Sequence, residues 1–205
     1  MFLKVDEVEV NARLRFFSLD RPILIDALRM AVAAYGGCTD NDPPSARGFE
    51  PWRAATRGLR ELLPPRGYER DDTGNFSTIK HVKHGIRIVV LNADGKTGDP
   101  RPDVWPRNRL KKGILHERAV GARDWIPGLP NPFPTNSLDI WYLCQHIDGE
   151  KVLAELSRPE RIEDGFITSW RERILILKPG EWKNVEAGDQ LSDAGPDIEV
   201  DVQLR

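Results

Sequence analysis

The residues able to do chemistry fall into three groups: scattered carboxylates, one turn carrying a lysine and a threonine, and a run of arginines and lysines. Asp139 and Glu155 flank an Asp148-Gly149 turn, and Glu61 lies on a candidate helix. Carboxylates on neighbouring strands with a third on a helix are a donor set with which nucleases hold a divalent metal. Strand register argues against this pairing. A two-residue turn at Asp148-Gly149 sets Ile147 opposite Glu150, Tyr142 opposite Glu155 and Asp139 opposite Arg158. Trp141, Leu143, Gln145 and Ile147 then share a core face with Val152, Ala154 and Leu156, and Glu155 points to the other face. A mid-strand carboxylate there needs a donor from Tyr142, Ser157 or an arginine, so a structural ion pair is the favoured reading.

Gly95-Lys96-Thr97 has the end of a phosphate loop, but Val90 stands where that motif needs its first glycine. Asp99-Pro100-Arg101-Pro102 follows and cannot open a helix, which leaves a polar turn at a strand end. His81 and His84 are three apart on a predicted strand and should face opposite ways, unable to share a metal. The chain has no Cys-x-x-Cys, no His-x-x-x-His and no Gly-x-Ser-x-Gly. Structural zinc and a serine or cysteine nucleophile therefore have no support.

The third group carries the strongest signal. Lys80 to Arg123 holds 11 Lys/Arg against 4 Asp/Glu, while the rest of the chain holds 19 against 28. Arg101, Arg107, Arg109, Lys111 and Lys112 lie within twelve residues, followed by Arg118. Arginine and lysine neutralise phosphates, Trp105 offers a stacking plate for an unpaired base, and Asn108 suits a base edge. The competing reading has Trp105 and Trp125 pinning the segment while its charges pair with the acidic remainder.

These residues need a scaffold. Residues 2–17 alternate apolar and polar, as one or two strands would. A helix follows, capped by Ser18 or Asp20, with Pro22 in its first turn and Gly36-Gly37 at its end. A second helix is predicted from about Pro51 to Leu63, ended by Pro64-Pro65. Two hairpins come next: 76–83 with 86–91 through His84-Gly85, and 138–147 with 150–157 through Asp148-Gly149. The continuous apolar run at 86–91 suits a central strand covered on both faces. Further strands are expected at Arg173–Leu177 and Ile198–Leu204. Between the hairpins, residues 95–137 contain seven prolines and five glycines, with room for a helix only between Asn108 and Asp124. Structureless connections of that length are uncommon unless functional or disordered.

The fold class is thus α+β. A mixed or mainly antiparallel sheet of two hairpins plus N- and C-terminal strands is backed by two helices, and a basic segment, 95–137, is inserted in a single 205-residue domain. Two cysteines make no disulfide framework, no apolar run spans a membrane, and Met1–Glu7 lacks a secretory leader, so a reduced cytoplasm is expected. The expected partner is DNA or RNA. Should the chain cleave it, Glu61, Asp94 and Glu155 are the carboxylates within reach, with Lys96 as electrostatic support and a divalent metal as cofactor. Two alternatives use the same segment. One is a protein-docking or homo-oligomeric module anchored by Trp105, Trp125 and Phe133; the other is an enzyme for a small phosphorylated ligand beside Lys96 and Arg101.

Overall fold

Two apolar runs organise the chain: β4 (Ile86–Asn92) and β5 (Asp139–Asp148) lie side by side, parallel, with Ile86 opposite Asp139 and Asn92 opposite Gln145. The structure is a computed structural model describing residues 1–121, 138–149, 151–183 and 185. Around the central pair stand β1 (Phe2–Lys4), β2 (Glu69–Asp71), β3 (Thr78–His81), β6 (Lys151–Glu163) and β7 (Phe166–Leu177). The seven-stranded order is β1-β7-β6-β5-β4-β3-β2. β1 runs parallel to β7, and the remaining pairs are antiparallel, so the sheet is mixed and the class is α+β.

Three helices cover one face: α1 (Glu7–Phe16), α2 (Arg21–Gly36) and α3 (Ala46–Leu62). Leu24, Leu28, Ala55, Leu59 and Leu63 pack there on Ile88, Val90, Leu143, Ala154 and Leu156. α1 replaces the strands expected over 2–17, of which only Phe2–Lys4 is extended. Asp6 caps it by accepting from the Val8 N–H, Glu7 and Glu9 fill the first turn, and Arg13 and Arg15 the last. Its buried residues, Val10 and Leu14, are followed by buried Phe17, a helical spacing hidden under an apparent alternation. Val8 and Phe16, apolar members of that alternation, are 76% and 61% exposed.

α2 follows its sequence signals, with the Asp20 carboxylate accepting from the Ile23 N–H. α3 begins at Ala46, five residues ahead of expectation, and carries Pro51 inside. In the second hairpin Asp148 pairs with Lys151 and Ile147 with Val152, two residues off the expected register. A shift of two preserves the faces, so Gln145 still shares a side with Ala154, and Glu155 lies opposite Cys144 on the other side. β6 and β7 are much longer than expected. They join at Asp164-Gly165, whose φ values of 50° and 78° suit a tight hairpin turn. The strand expected at Ile198–Leu204 lies outside the described residues, as do Trp125 and Phe133.

The second sheet face is covered by the segment that follows β4 and by α4 (Ile114–Gly121). Trp105, Leu115, Ala119 and Val120 pack on Val89, Leu91, Tyr142, Cys144 and Trp170. The long basic segment, in its described part, is therefore a layer of the fold. No described helix is long and apolar enough to cross a membrane.

Candidate functional site

The expected catalytic carboxylates are not brought together. Glu61 sits on the exposed side of α3 in an ion pair with Arg57 at 2.6 Å. Glu155 is fully buried on the opposite face of the sheet, so the sheet stands between them. Asp94 lies at the end of β4, where its Oδ1 accepts from the Lys96 and Arg107 N–H groups, both at 3.2 Å. Among the described residues no three His, Cys, Asp or Glu side chains are grouped to hold a metal ion.

Glu155 instead anchors the covering segment. Its carboxylate accepts from Arg173 Nε at 2.8 Å and Nη2 at 2.6 Å, from Ser157 Oγ at 2.6 Å, and from the Gly98 N–H at 2.8 Å. Arg173 donates onward to the carbonyls of Asp99 and Val104. Both ends of this pair are 0% exposed. Gly98 has to be glycine. Its φ is +71°, and a Cβ there would stand 2.3 Å from the Leu177 carbonyl oxygen.

Two residues expected to meet bases are likewise used internally. The buried Asn108 side chain donates to the Leu110 and Gly165 carbonyls at 2.7 and 2.9 Å and accepts from the Ile167 N–H at 2.9 Å. Trp105 packs against the sheet, and the next carbonyl, of Pro106, accepts from Trp170 Nε1 at 3.0 Å. Lys111 lies over the Phe166 ring, 5.9 Å from its centroid. Lys112 is half-buried, and burial lowers the pKa of its ammonium. Within α4, His116 Nδ1 shares a 2.7 Å hydrogen bond with Tyr142 Oη of β5. Burial first, then Lys112, pushes this imidazole down to about 4. The Arg118 side chain lies outside the described residues.

What remains exposed forms an edge. Residues 107–109 run antiparallel beside 92–94: Asp94 donates its N–H to the Arg107 carbonyl and Arg109 donates to the Asn92 carbonyl. Ala93 pairs with Asn108 in this bridge. Period-two alternation buries Asn108 and turns Arg107 and Arg109 outward together. Lys96, Arg107 and Arg109 are exposed and have no carboxylate ion-pair partner among the described residues, whereas Arg101 is held by Asp99 at 2.7 Å. That pairing, with the Arg101 guanidinium as the main cause, draws the Asp99 carboxyl down to about 2.

The edge lies at the carboxyl ends of the parallel pair β4/β5, the end of open α/β sheets where ligands are commonly held. Three residues there escaped sequence reading. Asn92 Nδ2 donates to the Gly48 carbonyl at 2.7 Å, and Gln145 Nε2 donates to Asn92 Oδ1 at 3.0 Å. The carbonyl sets the direction of this relay and leaves Gln145 Oε1 buried without a partner, beside Arg47 and Arg109. On the other side of the strand end, His146 Nδ1 bonds the Ala93 carbonyl at 3.2 Å. The only signal in the chain was that Gln145 and His146 interrupt an apolar strand near its end; their proximity to the Gly95 turn depends on β4 and β5 being neighbours.

His81 and His84 also depart from expectation. His84 lies in the four-residue turn from His81 to Ile86, not on a strand, and the two rings stand 4.1 Å apart between centroids. His84 Nε2 shares a 2.7 Å hydrogen bond with Ser18 Oγ, tying the α1–α2 turn to this hairpin. The chain matches no family model, no curated protein and no solved structure.

Proposed function

We propose that this protein binds nucleic acid through its phosphates along the edge formed by Lys96, Arg107 and Arg109. The observation that supports this reading is that these cations are exposed without ion-pair partners among the described residues, whereas Arg101 is paired with Asp99, Lys111 lies over the Phe166 ring and Lys112 is half-buried. Arg107 and Arg109 stand on one side of an extended arm, separated by roughly 6.5 Å along it. A row of this kind suits a string of phosphates better than a single compact anion. Trp105 and Asn108 take no part, because both are committed to the fold. The reading is one of binding, since the carboxylates that cleavage would need lie on different faces of the sheet.

Docking of a protein partner has less support, because Trp105 packs inward. Both cysteines are free thiols, which fits the cytoplasmic location we propose.

The test is a salt titration of binding to a labelled single-stranded oligonucleotide. Arg107→Ala with Arg109→Ala is expected to weaken binding and to lower the slope of log K against log salt by about 1.4, roughly 0.7 for each lost phosphate contact on a single strand. An unchanged slope would overturn the proposal.

A further inference from the structure

We propose that the notch above Gly95 seats a ribose 2′-hydroxyl, so that the polyanion held at this edge is RNA. The inference rests on the nucleic-acid reading above and adds the substrate class to it. Gly95 follows directly on Asp94 in the turn after β4 and faces the end of β5 and the start of β6. A Cβ built on Gly95 would lie 3.6 Å from His146 Nε2 and 3.6 Å from Lys151 Nζ. The space between an imidazole nitrogen and an ammonium is left open because residue 95 has no side chain.

The chemistry of that opening is specific. A backbone carbonyl only accepts, so the hydrogen bond from His146 to Ala93 places a proton on Nδ1. The neutral ring then presents the Nε2 lone pair to the notch, and Lys151 presents N–H donors. A phosphate oxygen accepts only and would meet the lone pair. A base amine donates only and would meet the ammonium. A hydroxyl oxygen does both at one atom, donating to Nε2 and accepting from Nζ. Among the groups of a nucleic-acid strand, the 2′-hydroxyl has this character, and it separates RNA from DNA. It also lies beside the phosphates that Lys96, Arg107 and Arg109 would hold.

Fluorescence anisotropy with one thymine-free single-stranded sequence, made as RNA, DNA and 2′-O-methyl RNA, tests this. RNA is expected to bind about tenfold tighter than DNA, the scale of one hydrogen bond to a charged group. The 2′-O-methyl strand, which has lost its donor, should bind as DNA does. Gly95→Ala fills the notch with a methyl. Its contacts would be ordinary ones, and Gly95 is not in the left-handed region, so the melting temperature should not move. In that variant RNA and DNA should bind alike. Equal affinities in the unaltered protein, or a preference surviving Gly95→Ala, would overturn the notch while leaving phosphate binding in place. Absence of affinity for all three strands would overturn the phosphate reading and this inference with it.

Discussion

The two faces of the sheet are covered by different means, and the contrast explains where the polar residues went. On one face α1, α2 and α3 satisfy their own backbone hydrogen bonds and seat mainly on apolar side chains, with Arg13 of α1 also pairing with Glu172 of β7. On the other face, the stretch from Asp94 to Gly113 has little regular structure, and its backbone groups must find partners elsewhere. Glu155, Arg173, Asn108 and the Trp170 indole meet that need, reaching Gly98, Asp99, Val104, Leu110 and Pro106. The buried Glu155–Arg173 pair is therefore a device for holding an irregular layer. The charges that hold the layer belong to β6 and β7, and Lys96, Arg107 and Arg109 of the segment itself form the outer edge.

The largest effect is expected at the centre of the covering layer. Glu155→Ala leaves Arg173 buried without its counter-charge and should cost about 3–5 kcal/mol in urea unfolding. A loss below about 1 kcal/mol would mean that the layer is held by its apolar contacts, as the helices are, and the contrast would fail.

A smaller effect concerns acid. Burial holds the His116 imidazole at about 4 in the folded chain, below its ordinary value of 6.5. Between these values the unfolded chain binds more protons, so this histidine's contribution is fully present above pH 6.5 and is lost as pH falls toward 4. The contribution is on the order of 3 kcal/mol. His116→Gln should flatten that part of the stability–pH profile; an unchanged slope would place the imidazole in water rather than against Tyr142.

The smallest effect belongs to the outer edge. Arg107→Ala with Arg109→Ala should change unfolding free energy by no more than about 0.5 kcal/mol, since neither side chain is paired or buried. A substantial destabilisation would show that the edge is part of the covering layer after all, and the division between inner and outer charge would disappear.

Local physics was legible in the chain. The α2 caps, the central character of β4 and the two faces of the second hairpin all follow from neighbouring residues. The chain over α1 reads as a strand because Val8, Val10, Leu14 and Phe16 are apolar at even positions, and only burial separates the helical subset from the alternating one. The β6–β7 hairpin could have been found, since Asp164-Gly165 is the same turn signal that marked Asp148-Gly149. The exact register at Asp148 could not, because a shift of two leaves every side chain on its original face.

For the site, composition alone determined that the middle of the chain carries unbalanced positive charge and too many apolar anchors for a passive linker. Tertiary structure decided which of those residues are available. Trp105, Asn108 and Lys112 are equal in the sequence to Lys96, Arg107 and Arg109, but one set is turned into the second face of the sheet and the other away from it. That choice depends on backbone partners supplied by β6 and β7, more than forty residues further along. The meeting of Gly95 with His146 and Lys151 depends on β4 and β5 lying parallel across a long connection. Spacing in a chain reports the neighbours of a residue along one strand or helix; it carries no information on which distant strand will lie beside it.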